Sequence, residues 1–208
     1  MSKEPLNESD RLQALWQGDF GDAYTERNRE AGEGRLPFWQ DVLTGLSVSR
    51  VLEVGCNRGG NLRWLHTLLP ASGVFGVDVN ASALGRLRQA HPVVNAVWAR
   101  ALELPFRDEF FDLVFTTGVL IHQPPADLPG VMDEIVRCSR RYVLAGEYFA
   151  ETLTEVPYRG ETGALFKADF GGLYQARFPT LRLIRNGFLP RDASGFDDVT
   201  WWLFEKTA

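Results

Sequence analysis

The residues of this chain whose types and spacing best suit chemistry are a group of glycines followed by an acid. A glycine-rich turn at residues 55–60 comes directly after the apolar run at residues 51–54, and Asp78 ends a second apolar run 23 residues after Gly55. Glycine lets a ligand approach the backbone where a helix begins, and an acid at the end of the next strand is placed to accept hydrogen bonds from ribose hydroxyls. This spacing predicts a site for a nucleotide-like cofactor.

The elements around this turn must position it. Strand, glycine turn, helix, strand and terminal acid is the order of the nucleotide-binding half of a doubly wound α/β fold. Asn57 stands where a dinucleotide fingerprint has its middle glycine, and a Cβ at that position obstructs the approach of a pyrophosphate. An NAD-type oxidoreductase with a Rossmann fold is therefore the alternative, and a cofactor without a pyrophosphate is the leading hypothesis.

Residues 51–56, Val-Leu-Glu-Val-Gly-Cys, resemble motif I of class I methyltransferases that use S-adenosylmethionine, although Asn57 departs from this family's more usual glycine. Residues 100–106 resemble its adenine-flanking loop, with Arg100 in place of the usual acid. The resemblance implies S-adenosylmethionine as cofactor and S-adenosylhomocysteine as product. The cofactor-binding residues that we assign on this basis are Tyr24, Arg27, Glu53, Gly55, Asn57, Gly59, Asn61, Asp78, Val79, Ala101, Leu102 and Thr117.

Hydrophobic periodicity along the rest of the chain supports the same architecture. We predict an α/β, Rossmann-like class I methyltransferase fold, in which a mostly parallel sheet of seven strands has helices on both faces and an antiparallel last strand. The strands are expected at residues 51–54, 74–78, 93–99, 111–117 and 141–145, with 181–187 and 199–205 as the antiparallel sixth and seventh. The helices are expected at residues 10–16 with Asp10 as N-cap, 36–46, 62–69, 81–90 and 128–139.

The domain organisation is predicted to be one methyltransferase domain, residues 36–208, preceded by an N-terminal segment of residues 1–35. Within that segment, residues 16–28 mix aromatic, glycine and charged residues. Two interpretations stand side by side: a surface segment with a few aromatic anchors, or a lid over the cofactor in which Arg27 meets the methionine carboxylate. An insertion at about residues 150–178 is expected to cover the acceptor pocket.

The acceptor side of the site is expected where the fourth and fifth strands end. His122 follows the fourth strand at the edge where ligands bind in open α/β sheets, and its unperturbed pKa suits a general base. Glu147, which follows the fifth strand, is the second candidate base. Tyr158 is the third catalytic candidate, to orient the acceptor or to contact the sulfonium.

Substrate-binding roles are assigned to Tyr148, Arg159 and Lys167. Arg159 and Lys167 bring two cations together with tyrosines in an otherwise acidic chain, which suits a small, polar, anionic acceptor such as a carboxylated sugar. The segments at residues 18–28, 51–61, 118–122, 147–148 and 155–170 together resemble the pseudaminic acid biosynthesis-associated methylases. That resemblance implies O- or N-methylation of a nonulosonic acid-type sugar or another natural-product intermediate. A non-catalytic protein that binds S-adenosylmethionine is the remaining alternative.

Composition narrows the class of partner. The chain has 208 residues, 45% of them hydrophobic, and a formal net charge of −5, which argues against a nucleic-acid partner because phosphate binding needs a basic field. Two cysteines, Cys56 and Cys138, without metal-type pairing predict neither a disulfide nor a metal site. No apolar run reaches membrane length. We expect a cytoplasmic enzyme, monomeric or homodimeric, with a small-molecule acceptor.

Overall fold

The computed structural model describes residues 7–30 and 32–207, which fold around a seven-stranded sheet of order β3-β2-β1-β4-β5-β9-β8. A separate two-stranded sheet pairs β6 with β7. The strands are β1 Val51–Val54, β2 Val74–Asp78, β3 Asn95–Trp98, β4 Phe111–Thr117, β5 Ser139–Glu147, β6 Thr154–Glu155, β7 Phe166–Lys167, β8 Leu181–Leu189 and β9 Val199–Lys206. The helices are α1 Glu8–Gln17, α2 Asp19–Arg27, α3 Leu36–Leu43, α4 Leu62–Leu68, α5 Ala81–Ala90, α6 Leu128–Cys138, α7 Phe170–Arg177 and α8 Arg191–Ser194.

The centre of the sheet is apolar on both faces, as the continuous hydrophobic runs predict. All four residues of β1 are buried, and alternate side chains enter different cores: Val51 joins one cluster, and Leu52 and Val54 join the other. Helices α3, α4 and α5 cover the first cluster, while α6 and α7 cover the second. The predicted α/β fold with helices on both faces is therefore confirmed.

The direction of the strands creates the site. Strand β1 pairs in parallel with both β2 and β4, so the strand order reverses on either side of β1. A crevice opens outside the carboxyl ends of the strands at such a switch point, and ligands bind there. Strand β9 is antiparallel to β5, which confirms the antiparallel last strand. Strand β8 is antiparallel to β9 and so runs in the direction of the parallel strands, which corrects our expectation for the sixth strand.

The N-terminal helices differ from the prediction in their starting point. Helix α1 begins one turn earlier than expected, because Asn7 rather than Asp10 is the N-cap: the Asn7 side chain accepts the backbone N–H of Asp10 at 2.9 Å. After Gly18, the aromatic and charged residues form a second helix, α2. Residues 1–6 and 31 of the predicted N-terminal segment lie outside the described residues.

The insertion between β5 and β8 contains the β6–β7 hairpin and α7, and it contacts the N-terminal helices. The Arg11 guanidinium donates to the backbone oxygen of Thr162 at 3.1 Å, and the rings of Phe20 and Tyr158 lie 6.0 Å apart. These contacts join segments more than a hundred residues apart in sequence. The N-terminal helices and the insertion together cover the carboxyl edge of the sheet. None of the helices in residues 7–30 and 32–207 has the length and apolar character needed to span a membrane.

Candidate active site

A cavity of about 460 Å³ opens at the carboxyl ends of β1, β2 and β4, beneath helices α1 and α2. It has two parts, which we call the cofactor end and the acceptor end. The cofactor end comprises the turn at residues 55–61 with the strand-end residues beside it, and the acceptor end comprises residues 118–124 with the insertion. Of the residues predicted to bind ligand or act in catalysis, those that line the cavity are Tyr24, Glu53, Gly55, Asn57, Asn61, Asp78, Val79, Ala101, Leu102, Thr117, His122, Tyr148, Tyr158 and Arg159.

The glycine turn begins with a backbone conformation that favours glycine. Gly55 has φ +73°, and a Cβ there would lie 2.4 Å from a methyl carbon of Val119, so a side chain is excluded on both grounds. The backbone N–H groups of Gly55 and Cys56 donate to the carbonyl of Val77 at 2.8 and 2.9 Å. The turn is thereby fixed to the end of β2, beside the acid that follows.

Asp78 organises this part of the site through both carboxylate oxygens. One accepts the backbone N–H of Asn57 at 2.7 Å, and the other accepts that of Asn80 at 2.8 Å. Burial raises the pKa of Asp78 above its ordinary value, while these backbone donors act in the opposite direction. Each oxygen retains a lone pair for a further donor, so Asp78 can accept hydrogen bonds from a ligand while it holds the turn.

Asn57 adopts φ +46°, a left-handed conformation that asparagine tolerates better than most residues. Its side-chain oxygen accepts the hydroxyl of Thr25, on α2, at 2.9 Å. The asparagine that departs from the dinucleotide fingerprint therefore attaches an N-terminal helix to the glycine turn. A buried Thr25 makes this a contact shielded from water.

A second network joins Glu53 to Arg35 through Asn61. The Asn61 amide donates to Glu53 Oε1 at 2.6 Å, and its oxygen accepts Arg35 Nη1 at 3.1 Å and Trp39 Nε1 at 3.2 Å. Thr117 Oγ1 lies 3.4 Å from the same Glu53 oxygen. Asn61 thus separates a buried acid from a cation, since each makes a hydrogen bond to it.

Neither Glu53 nor Arg35 has its full set of hydrogen-bonding or ionic partners among the described residues. Glu53 Oε2 is buried and has no hydrogen-bond partner among the described residues, and burial raises the pKa of Glu53 to about 8. Arg35 also donates to the backbone oxygen of Gly195 at 2.8 Å and stacks on Phe196, but no carboxylate of the described residues lies within 4.0 Å of it. Burial lowers the pKa of Arg35. The cofactor end therefore holds a cation free to receive an anionic group.

Two residues predicted for the cofactor lie elsewhere. Arg27 is exposed near the end of α2 and does not line the cavity, so the structure does not support its assignment to a methionine carboxylate. Arg35, which we did not assign to the cofactor, lines the cavity. Gly59 has φ +84° and faces α5, where a Cβ would lie 2.4 Å from Leu87, so it serves helix packing rather than ligand contact.

At the acceptor end, His122 lies in the short 3₁₀ turn after β4. Its Nδ1 is 2.6 Å from the backbone oxygen of Ala164, in the insertion. Because a carbonyl oxygen only accepts, Nδ1 must carry the proton, which leaves Nε2 as an acceptor. Burial lowers the pKa of His122 to about 4, although the Ala164 hydrogen bond acts in the opposite direction. The imidazole is therefore neutral at pH 7.

Aromatic rings from two distant segments enclose this histidine. The Trp16 ring, on α1, lies 4.5 Å from the imidazole, and the Tyr158 ring, in the insertion, lies 5.3 Å from it. Trp16 also contacts Tyr24 at 5.3 Å, so the rings continue towards the cofactor end. On the far side, the Tyr148 hydroxyl donates to Asp197 at 2.7 Å. The acceptor end is thus lined by aromatic rings that carry polar atoms.

Glu147 and Lys167, to which we assigned catalytic and substrate-binding roles, lie outside the set of residues that line the cavity. Glu147 is fully buried, and its Oε2 accepts the backbone N–H groups of Val119 and Ile121 at 3.0 and 3.3 Å. It therefore positions the turn that carries His122 instead of acting on a ligand, and burial raises its pKa to about 7. The Lys167 ammonium lies 5.8 Å from the Tyr148 ring centre, behind the wall of the cavity.

Sequence reasoning missed several cavity residues: Trp16, Arg35, Asn80 and Asp197. Arg35 directly precedes α3 and belongs to no motif that we recognised. Asn80 follows the acid Asp78, at a position where an N-cap is expected, and this signal was available in the sequence. Trp16 and Asp197 reach the cavity through tertiary packing alone, which no local pattern indicates.

Comparison with known proteins agrees with this geometry. Residues 51–141 match the family model described as a methyltransferase domain. The probable phthiotriol/phenolphthiotriol dimycocerosates methyltransferase 2 of Mycobacterium ulcerans is 34% identical over 107 residues, which are 50% of this chain and 39% of that protein. The fatty-acid O-methyltransferase of Mycolicibacterium smegmatis is 33% identical over 106 residues, 50% of this chain and 36% of that protein. The chain thus spans less than half the length of these two relatives.

Among solved structures, the 1,6-didemethyltoxoflavin-N1-methyltransferase of Burkholderia thailandensis, crystallised with 1,6-didemethyltoxoflavin and S-adenosylhomocysteine, superposes with a TM-score of 0.75. The match covers 100% of this chain and 94% of that chain at 19% identity, so it shows the fold alone. This chain has a Rossmann-like fold of the kind found in S-adenosylmethionine-dependent methyltransferases, and its residues 51–141 match the model of a methyltransferase domain. The prediction of that fold is confirmed.

Proposed function

We propose that this protein is an S-adenosylmethionine-dependent methyltransferase that acts on a small polar acceptor. The observation that carries the proposal is a single cavity that joins an acid-terminated glycine turn to a buried, neutral histidine. A glycine turn alone would also suit a non-catalytic binding protein. A neutral histidine at the other end of the same cavity, with Nε2 as the acceptor nitrogen, suits an enzyme in which a proton must move.

The residues at the cofactor end fit this cofactor. Gly55 and Asn57 of the glycine turn line the cavity, and Asp78 retains acceptor capacity for ribose hydroxyls. The backbone around Val79, Ala101 and Leu102 would flank the adenine. Arg35 is the cation for the carboxylate of the methionyl part. When bound, S-adenosylmethionine supplies a methyl group on a sulfonium, open to attack by an acceptor heteroatom.

The same residues disfavour a dinucleotide. A pyrophosphate needs backbone access at the second position of the turn, where Asn57 has a Cβ and a side chain already engaged with Thr25. Release of that side chain would expose the oxygen of Asn57 and the hydroxyl of Thr25 without partners. The turn is therefore suited to a nucleoside that carries no pyrophosphate.

The protein's part in the reaction is alignment, exclusion of water and removal of one proton. Helices α1 and α2 with the insertion cover the cavity, which keeps water from competing with the acceptor. A hydroxyl or ammonium acceptor must lose a proton, and Nε2 of His122 is the base in position to take it. The Nδ1–H group continues to donate to the Ala164 carbonyl, and this hydrogen bond stabilises the imidazolium that forms. Tyr158, beside His122, orients the acceptor.

The acceptor class follows from size and charge. A cavity of about 460 Å³ must hold cofactor and acceptor together, and cavities of roughly 300–1,000 Å³ commonly hold one drug-sized ligand. A small acceptor is therefore favoured over a long-chain lipid of the kind named for the mycobacterial relatives. Arg159 lines the mouth of the cavity, and Tyr148 lies inside it. These groups suit a carboxylate-bearing polar metabolite, such as a nonulosonic acid-type sugar.

Isothermal titration with S-adenosylhomocysteine tests the central claim. We expect the wild-type protein to bind S-adenosylhomocysteine and not NAD, and Asp78→Asn to weaken binding by about tenfold or more, since a charge-assisted hydrogen bond is lost. Asp133→Asn, at an exposed ion pair with Arg177, is the matched control and should bind as wild type. Binding of NAD, or no binding of S-adenosylhomocysteine by the wild type, would overturn the proposal.

The acceptor is tested separately, by transfer of labelled methyl groups from S-adenosylmethionine to a panel of carboxylated sugars and their neutral analogues. We expect transfer to acids in preference to neutral analogues, and a higher KM for the acid with Arg159→Ala. Equal transfer to the neutral analogues, with no change in KM in Arg159→Ala, would contradict the proposal of an anionic acceptor. The methyltransferase proposal would not be affected.

A further inference from the structure

Trp16 connects the two ends of the cavity in a way that the proposed reaction does not yet use. Its ring packs on the imidazole of His122 at 4.5 Å, while its backbone oxygen accepts the side-chain amide of Asn80 at 3.1 Å. The same amide donates to Asp22 Oδ1, on α2, at 2.9 Å. Asn80 in turn donates its backbone N–H to Asp78. A continuous set of contacts therefore runs from the ribose-side acid to the histidine.

We propose that Trp16 is a positioning residue for methyl transfer: its ring keeps water from His122 and so preserves Nε2 as a proton acceptor, and Asn80 holds the ring there. The inference rests on the proposed function for its use, but not for its geometry. Trp16 belongs to α1, so this face of His122 is shielded from water only while the N-terminal helices are docked on the loops of the cofactor end.

The surroundings of His122 support this role for Trp16. The contacts around the ring come from Trp16 on α1, from Tyr158 and from the Ala164 carbonyl in the insertion. No charged side chain contributes to the lowered pKa of His122, whose cause is burial alone, opposed by the Ala164 hydrogen bond. Trp16 is the one of these three that α1 supplies. Its withdrawal admits water on that face, and hydration favours the charged imidazolium.

The helices that carry Trp16 are attached at several points to the cofactor end. Thr25 donates to Asn57, and the side-chain amide of Asn80 donates to the backbone oxygen of Trp16 and to Asp22. Asn57 and Asn80 are the two residues whose backbone N–H groups Asp78 accepts. A ligand that orders these loops therefore also orders the support of Trp16.

The test is an NMR titration of the histidine side chains in the cofactor-free protein. The chain has three histidines, and the spectrum of His122→Asn assigns the signal of His122. In the wild type we expect His122 to remain neutral down to about pH 5, consistent with a pKa of about 4. Trp16→Ala should raise the His122 pKa towards 6.5, by about one unit or more, a tenfold gain in proton affinity. Trp16→Phe should lie between the two.

Phe20→Ala is the matched control. Phe20 contacts Trp16 at 5.2 Å and Tyr158 at 6.0 Å, so its loss removes a neighbouring ring without removing one that contacts the histidine. Its His122 pKa should stay near that of the wild type. Trp16→Leu carries the same test if Trp16→Ala does not fold. An unchanged His122 pKa in every Trp16 variant that folds, or an equal rise in Phe20→Ala, would overturn the role of Trp16.

The outcome separates this inference from the proposed function. Failure of S-adenosylhomocysteine to bind the wild type would refute the methyltransferase proposal, yet the titration would still show whether Trp16 shields His122. Conversely, if S-adenosylhomocysteine binds normally but the His122 pKa does not change in the Trp16 variants, only the positioning role of Trp16 is refuted. In turnover assays, Trp16→Ala should move the acidic limb of the pH profile of kcat/KM upwards together with the His122 pKa, a displacement that mere loss of stability does not produce.

Discussion

The cofactor end and the acceptor end of the cavity are built in different ways. The cofactor end is assembled from neighbouring pieces of chain: the Gly55 turn, the acid Asp78 and the strand ends beside them, joined by backbone hydrogen bonds. The acceptor end is assembled from side chains of α1, the 3₁₀ turn after β4 and the insertion, which meet only in three dimensions. Backbone geometry therefore fixes cofactor recognition, while side-chain packing sets the chemistry offered to the acceptor.

The two ends also differ in how they treat charge. The cofactor end of the cavity contains three ionisable groups, Arg35, Glu53 and Asp78, and burial disfavours the charged form of each. At the acceptor end, His122 is held neutral by burial and is enclosed by rings. The first arrangement suits a ligand that brings complementary charges, and the second suits a proton transfer in a water-poor space.

The largest expected effect would separate catalysis from binding. His122→Asn should leave S-adenosylhomocysteine affinity unchanged and lower turnover by roughly 10²–10⁴-fold, the usual contribution of a general base. Methyl transfer to an acceptor found in the panel, together with isothermal titration, measures both quantities. His66→Asn, at a half-buried position on α4 that does not line the cavity, is the matched control. Unchanged turnover in His122→Asn would remove His122 from the mechanism, as expected for a carboxylate acceptor, which needs no base.

The next effect concerns Glu147, whose carboxylate accepts backbone N–H groups of the turn that carries His122. Its pKa rises from 4.5 in the unfolded chain to about 7 in the folded protein because it is buried. Between these values the folded state holds a proton that the unfolded state has lost, so the contribution of Glu147 to the free energy of unfolding should fall as pH rises from about 4.5 to about 7. The loss can reach about 3 kcal/mol, the equivalent of this difference in pKa.

Glu147→Gln should flatten that part of the stability curve, because a glutamine keeps an oxygen for the N–H groups of Val119 and Ile121 but does not titrate. Urea unfolding at pH 5 and at pH 7.5 gives the two free energies for each protein. Glu134→Gln, at a partly exposed ion pair with Arg137, is the control and should leave the slope through this window in place. A Glu147→Gln protein with the same slope as the wild type between pH 5 and pH 7.5 would contradict the prediction.

A third comparison tests the charge at the cofactor end. Arg35→Ala should weaken S-adenosylhomocysteine binding by about 10- to 100-fold, since it removes a buried cation whose other contacts leave it free for a carboxylate. Arg27→Ala should bind as the wild type does, because Arg27 is exposed outside the cavity. If Arg27→Ala weakened binding and Arg35→Ala did not, the N-terminal segment would have to close differently around the cofactor.

The contrast between Arg27, which we assigned to the cofactor from the sequence, and Arg35, which lines the cavity, shows the limit of sequence reasoning. The motif strand, the glycine turn, Asp78 and β4 were predictable because each depends on local patterns of apolar residues and glycine. The choice between two arginines eight residues apart depends on which helix face and which loop meets the sheet, and only packing determines that. Glu147 illustrates the same limit: its place at the strand edge was correct, but its side chain accepts N–H groups of the adjoining turn.

The acceptor end was less accessible to prediction for a further reason. His122 and Tyr158 were recognised by position and resemblance, but nothing local indicates that Trp16, more than a hundred residues earlier, packs against the histidine. Lys167 was grouped with Arg159 because the two are close in sequence, although the hairpin turns them to different sides. A cavity wall made of side chains from distant segments cannot be read from spacing, whereas a backbone turn can.

The smallest effect should come from the contact that joins the two ends. Thr25→Val keeps the shape of a buried side chain but leaves the Asn57 oxygen without its donor, which costs about 1 kcal/mol. If docking of α2 is linked to the glycine turn, S-adenosylhomocysteine affinity should fall several-fold although Thr25 need not touch the ligand. Thr44→Val, at an exposed helix end, controls for the loss of a hydroxyl. A Thr25→Val protein that loses stability but keeps full affinity would show that the N-terminal helices serve the acceptor end alone.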